Sequence, residues 1–106
     1  MLDKLEAIKA RFDDLGVALT NPEIVGNNQK FTQLSKEYRS LEKIVQAFEA
    51  YKKLLDDIAF NREALMGDDE ELRELAKEES ASLDEQKTEM EKQIRNMLIP
   101  KDPQDE

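Results

Sequence analysis

The feature that most constrains the fold is a long run from Gln29 to Met66 that contains neither glycine nor proline. Apolar side chains recur in it at spacings of three and four residues, which is the period of one helical face, with a drift of one position after Phe48 and a polar interruption at Arg62. The stripe consists of Phe31, Leu34, Tyr38, Leu41, Val45, Phe48, Tyr51, Leu55, Ile58 and Leu65. A helix of about 38 residues is roughly 57 Å long. Such a helix cannot bury its stripe against itself, so it needs partner helices along most of its length.

A shorter helix is predicted before this run, over about residues 2–19. Its apolar face consists of Leu5, Ile8, Phe12, Leu15 and Leu19. Pro22 ends it, because proline lacks a backbone N–H and does not fit a helix interior. Asn21 could also cap a short turn that begins at Pro22, since proline is tolerated in the first turn of a helix.

A third helix is predicted after Gly67, over about residues 69–98. Its apolar stripe consists of Leu72, Leu75, Ala76, Leu83, Met90, Ile94, Met97 and Leu98. Asp68 is the predicted N-cap, with Glu71 three residues later as in a capping box. We expect the loosest packing around residues 79–86, where the stripe is sparse.

Together, the three segments predict an all-α fold. The connection at Gly67-Asp68 is short, so the segments at about 29–66 and 69–98 should fold back on each other as a long antiparallel hairpin. The shorter helix at about 2–19 should pack across one end of that hairpin, against the 31–48 half of the long helix. The predicted architecture is therefore an elongated three-helix arrangement.

The composition excludes several classes of active site. The 106 residues include no cysteine, no histidine and no tryptophan. Disulfides, thiolate metal sites and the usual nucleophile–base pairs are therefore excluded. No apolar run approaches the roughly 18 residues that a membrane helix needs, and the first residues lack the apolar block of a signal peptide. We expect a soluble, cytoplasmic protein that binds no cofactor.

The net charge of −9 is concentrated in the last part of the sequence. Residues 67–106 hold 14 of the 25 acidic side chains but only 6 of the 16 basic ones. Nucleic-acid binding needs the opposite arrangement, because clustered lysines and arginines neutralise phosphates. We therefore expect no direct nucleic-acid binding, and we expect any partner surface to be basic protein. The same negative charge argues against the interpretation of the chain as a helical arm that binds RNA.

Several short clusters could suggest a site, but none has the geometry that the chemistry needs. The consecutive acids of Asp68-Asp69-Glu70-Glu71 radiate in different directions, whereas a calcium loop alternates its ligands. The pairs Asp13-Asp14 and Asp56-Asp57 point about 100° apart on a helix, unlike the facing carboxylates of acid–base catalysis. Lys36-Glu37-Tyr38-Arg39 combines basic and aromatic groups as an RNA contact does, yet Tyr38 belongs to the apolar stripe. We assign no catalytic, cofactor-binding or metal-binding residue, and the sequence does not identify partner-contacting residues.

Two motifs carry a resemblance to a known family. The run Phe31-Thr32-Gln33-Leu34-Ser35-Lys36-Glu37-Tyr38, followed by Leu41 and Ile44-Val45, resembles the first domain of bacterial class I peptide chain release factors. The tail Leu98-Ile99-Pro100-Lys101-Asp102-Pro103-Gln104-Asp105-Glu106 is similar to the linker of the type that reads UAA and UAG. In that linker, leucine is more usual than the isoleucine found here at position 99.

The tail also has the physical character of a linker. Pro100 and Pro103 cannot continue a helix, because each lacks a backbone N–H and restricts the residue before it. The resemblance implies that residues 1–98 are helical domain 1 of a release factor. Residues 99–106 would then begin the linker to catalytic and codon-reading domains that are missing from this sequence.

The resemblance implies a role in translation termination, in which the whole factor directs peptide release at UAA and UAG codons. The family's Gly-Gly-Gln loop promotes peptidyl-tRNA hydrolysis and its Pro-x-Thr tripeptide reads the stop codon, and neither occurs in these 106 residues. The chain is therefore expected to be a non-enzymatic interaction module. The implied partners are the stalk-base region of the large ribosomal subunit, the GTPase release factor and the methyltransferase that modifies the loop glutamine.

A second interpretation remains open on the sequence alone. A long helical stripe without an active site is also typical of a stand-alone coiled-coil adaptor or structural protein. Such a protein would dimerise by pairing stripes between chains. The release-factor interpretation instead predicts a monomer that buries the stripe within one chain.

Overall fold

The computed structural model of the chain describes residues 1–99, and the interpretation of residues 100–106 as a linker falls outside the described part. The helices are α1 (Leu2–Ala18), α2 (Pro22–Val25), α3 (Asn28–Met66) and α4 (Glu70–Leu98). Residues 1–99 contain no strand, which confirms the all-α prediction. The three predicted helices are α1, α3 and α4, each with ends within about one residue of those expected. The short helix α2 is an addition to that scheme.

Asparagine side chains shape the connection between α1 and α3. Asn21 Oδ1 accepts a hydrogen bond from the Glu23 backbone N–H at 3.0 Å, and Pro22 begins α2. Proline suits this place because its missing N–H would have no partner in a first turn. Asn27 Oδ1 accepts a hydrogen bond from the Lys30 N–H at 3.1 Å, which caps the start of α3. The short turn considered at Pro22 is thus a complete helical turn.

The chain divides into two compact units, Met1–Phe48 and Glu49–Glu106, which we call the N-terminal unit and the hairpin unit. In the N-terminal unit, α1 packs against the first half of α3. The rings of Phe12 and Tyr38 stack there with centroids 4.3 Å apart. The buried apolar residues of this unit are Leu5, Leu15, Val45 and Phe48. These contacts confirm the predicted packing of the first helix on the 31–48 half, although Phe31 itself is exposed.

The hairpin unit contains the second half of α3 and α4, joined by residues 67–69. Tyr51 on α3 bonds to Glu91 on α4, whereas Asn61, further along α3, bonds to Ala76, which is earlier on α4. This reversed order of partners confirms the predicted antiparallel hairpin. The buried apolar residues of this unit are Tyr51, Leu54, Ile58, Ala76 and Ile94.

The N-cap of α4 is Asp69, so the prediction of Asp68 was wrong by one residue. Asp69 Oδ1 accepts hydrogen bonds from the backbone N–H groups of Glu71 at 3.0 Å and Leu72 at 3.3 Å. Both Asp68 and Asp69 are good N-caps by residue type. Because residues 67–69 connect the two helices, α4 begins at Glu70 and Asp69 is the residue that precedes it. Because the helix begins one residue later, the third position after the cap is Leu72, and the capping box with Glu71 does not form.

The apolar stripes also differ from prediction in detail. On α3, Leu54 is buried and the predicted Leu55 is only half-buried. Adjacent leucines both satisfy a spacing of three or four, so periodicity alone does not choose between them. On α4, the most exposed members of the stripe are Leu72 and Leu75 near the turn, whereas Leu83, inside the region expected to pack loosest, is half-buried.

Candidate interaction surface

The acidic clusters noted in the sequence serve helix structure. Asp69 is occupied as an N-cap, and Glu70 and Glu71 lie in the first turn of α4, where the helix dipole favours negative charge. Among residues 1–99, no three carboxylates are arranged to hold a metal ion. Within the same residues, no helix has the length and apolar character that a membrane crossing requires.

The basic and aromatic cluster at Lys36-Glu37-Tyr38-Arg39 is divided between the packed and the exposed sides of α3. Tyr38 is half-buried, and one face of its ring lies against Phe12 with an interplanar angle of 14°. Lys36 and Arg39 are exposed. The Tyr38 ring, which an RNA contact would need for stacking on a base, therefore contributes to the packing of α1 on α3.

A two-point ion pair joins the helices of the N-terminal unit. Arg11 Nε donates to Glu37 Oε2 at 2.7 Å, and Arg11 Nη2 donates to Glu37 Oε1 at 2.8 Å. The hydrogen bond from Arg11 lowers the pKa of Glu37, and the same contact raises the pKa of Arg11. Both side chains are substantially exposed, so water screens the pair and limits its contribution to stability.

Two hydrogen bonds between α3 and α4 join the helices of the hairpin unit. Tyr51 Oη donates to Glu91 Oε2 at 2.7 Å, and Asn61 Nδ2 donates to the Ala76 carbonyl oxygen at 3.1 Å. Burial, together with the hydrogen bond to Glu91, raises the pKa of Tyr51 to about 12. Lys87 Nζ lies 3.8 Å from the same Glu91 oxygen. These partly buried bonds fix the register of the hairpin.

An apolar groove runs between α3 and α4 near the turn of the hairpin unit, and we call it the tip groove. It is lined by Asp57, Phe60, Asn61, Ala64, Leu72, Leu75, Ala76, Glu79 and Leu83 and encloses about 430 Å³. Phe60 is 71% exposed, Leu75 56% and Leu72 46%. Clustered apolar side chains at such exposure are typical of surfaces that bind another molecule.

The tip groove is bordered by acidic side chains. Asp57 and Glu79 line the groove itself. Leu75 also lines a second depression, together with the side chains of Glu70, Glu71, Glu74 and Glu78. Two cations of α4 are engaged locally: Arg73 donates to the Gly67 carbonyl oxygen at 2.7 Å, and Lys77 lies 3.3 Å from Glu74. The surface therefore combines apolar contact area with negative charge.

Sequence reasoning missed the tip groove because Phe60 lies off the apolar stripe of α3. Leu72 and Leu75 were assigned to the core, since they have the spacing of a buried face. The available signal was Phe60 itself, a large aromatic residue with the acids Asp56, Asp57 and Glu63 three or four residues away on the same helical face. It did not indicate which α4 residues would lie beside it.

Comparisons with known proteins agree with the family resemblance. A family model described as the PCRF domain matches residues 8–106. The chain is 52% identical to Peptide chain release factor 1 of Anaeromyxobacter dehalogenans (strain 2CP-C), an alignment that covers 100% of this chain and 29% of that protein. It is 44% identical to the protein of the same name from Cytophaga hutchinsonii, covering 99% and 30%. With the same-named protein from Clostridium botulinum (strain Eklund 17B / Type B) the identity is 40%, covering 100% and 30%.

The chain spans only about three-tenths of the length of these curated relatives. No solved structure matches it.

Proposed function

This chain belongs to the PCRF domain family, and from that premise we propose that it is the N-terminal helical domain of a translation termination factor. Its role in the factor is to engage the ribosome and partner proteins, without taking part in the chemistry of peptide release. The observation that carries the proposal is the family match over residues 8–106, in a chain that contains no Gly-Gly-Gln sequence.

The domain comprises residues 1–98, and residues 99–106 begin the linker to the rest of the factor. The whole factor directs peptide release at UAA and UAG codons. Two findings support this division: the relatives are named Peptide chain release factor 1, and this chain covers 29% to 30% of their length. The two prolines of the tail are suited to a segment that leaves a helix.

The partners proposed for the domain are the stalk-base region of the large ribosomal subunit, the GTPase release factor and the glutamine methyltransferase. The acidic exterior supports protein partners with basic surfaces over direct contact with nucleic acid, because phosphates repel carboxylates. We propose that the domain works in the cytoplasm and needs no cofactor.

The test of a non-catalytic role is a peptide-release assay on bacterial ribosomes that carry peptidyl-tRNA and a UAA codon. The isolated chain should release no peptide above background, while a complete class I release factor provides the positive control. In the complete factor, deletion of residues 1–98 should lower kcat/KM for release and leave kcat at saturating factor nearly unchanged. Release by the isolated chain, or a large loss of kcat on deletion, would contradict the proposal.

The alternative of a stand-alone coiled-coil dimer makes a different prediction for solution mass. Within a single chain, Leu5, Phe48 and Ile94 are each 1% exposed, so the principal core residues are buried without a second copy. We therefore expect sedimentation equilibrium at micromolar concentration to give the 12.3 kDa mass of a monomer. A stable dimer under these conditions would favour the adaptor.

A further inference from the structure

The tip groove has the form of a preformed docking site. Its lining includes the small side chains of Ala64 on α3 and Ala76 on α4. The hydrogen bond from Asn61 to the Ala76 carbonyl oxygen, at 3.1 Å, ties the two helices together at the groove, since both residues line it. The exposed Phe60 and Leu75 border this space. The site therefore needs no rearrangement of the helices to accept apolar side chains.

The charges around the groove identify the chemistry of its occupant. The acids that line it, Asp57 and Glu79, carry no compensating lysine or arginine among the lining residues. The acids that line the second depression with Leu75 extend the same negative field. An occupant whose apolar side chains are flanked by lysine or arginine would bury Phe60 and Leu75 and neutralise these acids. The same negative field would repel the phosphates of a nucleic acid.

Two occupants from this chain itself fit poorly. A second copy would bring one acidic rim against another, which opposes association. Residues 100–106 hold three acids and one base, so they carry the wrong charge. They are also too few to reach the groove: Leu75 and Leu98 are separated by about 35 Å of helix, and seven residues span at most about 25 Å.

We propose that the tip groove is the docking site for a basic partner protein that inserts apolar side chains, flanked by lysine or arginine, between Phe60 and Leu75. The inference rests on the proposed function, because it gives the interaction module its contact residues. Beyond that function, the inference specifies the contact surface, which is the tip groove, and the chemical character of the partner.

The test uses a short synthetic peptide of leucine and lysine, patterned as an amphipathic helix, as a probe for the basic partner. Binding to the full chain is measured by fluorescence anisotropy for the wild type and for Phe60→Ser and Leu75→Ser. We expect each substitution to weaken binding about tenfold or more, as for anchor residues at the centre of an interface. Met66→Ser is the matched control, because Met66 is 87% exposed near the same end of α3 and does not line the groove.

Charge is tested separately with a control peptide in which glutamate replaces every lysine. This peptide should bind far more weakly, and Asp57→Asn with Glu79→Gln should reduce the salt dependence of binding to the lysine peptide. Amide chemical shifts of Ala64 and Ala76 give a readout on the unsubstituted protein, and the lysine peptide should perturb them. The proposal is overturned if these shifts do not change, if the acidic peptide binds equally well, or if Met66→Ser weakens binding as much as Phe60→Ser.

Co-sedimentation of the full chain with bacterial ribosomes separates this inference from the proposed function. Groove-dependent peptide binding without ribosome binding would contradict the ribosome role and support the docking site. Ribosome binding that Phe60→Ser and Leu75→Ser leave unchanged would support the ribosome role and overturn the docking site.

Discussion

The two units of this chain use polar and apolar side chains differently. Met1–Phe48 holds seven acids and seven bases, so the remaining residues carry the whole net charge of −9. In the N-terminal unit, Arg11 and Glu37 pair with each other and Phe12 covers Tyr38. In the hairpin unit, acids border an apolar groove whose leucines and phenylalanine face solvent. The comparison shows a first unit organised for packing and supports the proposal that the tip of the second unit is a recognition surface.

The largest expected contrast is between two phenylalanines of α3, Phe48 in the N-terminal unit and Phe60 in the hairpin unit. Phe48 is 1% exposed and Phe60 is 71% exposed. Replacement of Phe48 by alanine should lower the free energy of unfolding by about 3 to 5 kcal/mol, because it leaves a cavity in a packed core. The same change at Phe60 should cost less than about 0.5 kcal/mol, as at most surface positions. Urea denaturation measures both, and similar losses at the two sites would remove the contrast.

A smaller effect is expected at the hydrogen bond between Tyr51 and Glu91. Tyr51→Phe removes the hydroxyl and keeps the ring, so it isolates the bond. The loss should be about 1.5 kcal/mol at neutral pH, since the acceptor is charged and the site is partly buried. Chemical denaturation gives the value, and Tyr38→Phe is the matched control, because no hydrogen bond from its hydroxyl contributes to the register of the hairpin. A loss at Tyr38 equal to that at Tyr51 would contradict the assignment.

The same bond predicts a pH dependence at the alkaline end. The pKa of Tyr51 is raised to about 12 from an ordinary value of 10.0, so folding favours the neutral phenol. Its contribution to stability is complete below the unfolded pKa and is lost as pH rises through the interval between the two values. The difference in stability between the wild type and Tyr51→Phe should therefore shrink between pH 10 and 12. A constant difference would show that the phenol is not the titrating group.

Loss of the N-cap of α4 is expected to reduce stability somewhat less than loss of the hydrogen bond between Tyr51 and Glu91. Asp69→Ala should lower the free energy of unfolding by about 1 kcal/mol, because two backbone N–H groups at the start of α4 lose their acceptor. Asp68→Ala changes charge and size identically but removes no cap, so it should have little effect. Thermal denaturation followed by circular dichroism compares the two. Equal losses of stability for the two variants would contradict the assignment of Asp69 as the N-cap.

The smallest effect is expected for Glu37→Gln in the N-terminal unit, because its ion pair is exposed and screened. The hydrogen bond from Arg11 lowers the pKa of Glu37, so the folded state favours the carboxylate. The contribution is present above the unfolded pKa and is lost as pH falls through the folded pKa. Thermal denaturation should show a slight loss for Glu37→Gln at neutral pH and low salt, and no loss in acid. A loss that persists in acid would contradict an electrostatic origin.

Periodicity predicted the helices because spacing is a local property of the sequence. It located α1, α3 and α4, while the short connection at Gly67-Asp68 predicted the antiparallel hairpin and the motif around Tyr38 indicated the family. It did not choose between Leu54 and Leu55 or between Asp68 and Asp69, because the members of each pair satisfy the same local rule. Those choices depend on where the neighbouring helix lies.

The tip groove was beyond prediction for a related reason. A stripe position is normally buried, yet Leu72 and Leu75 are exposed, and the α3 residues that line the groove with them include the small Ala64 as well as Phe60. Phe60 became interpretable only when the structure brought it beside these leucines. Binding surfaces of this kind arise from two elements together, whereas a sequence pattern describes one element at a time.

The central claim is that the hairpin tip recruits partners for a factor whose chemistry lies elsewhere. The most direct measurement is peptide release at a UAA codon by the complete factor carrying Phe60→Ser and Leu75→Ser together, with Met66→Ser as control. We predict a lower kcat/KM for the double variant, an unchanged kcat at saturating factor, and wild-type values for the control. An unchanged kcat/KM, or a fall in kcat itself, would contradict the claim.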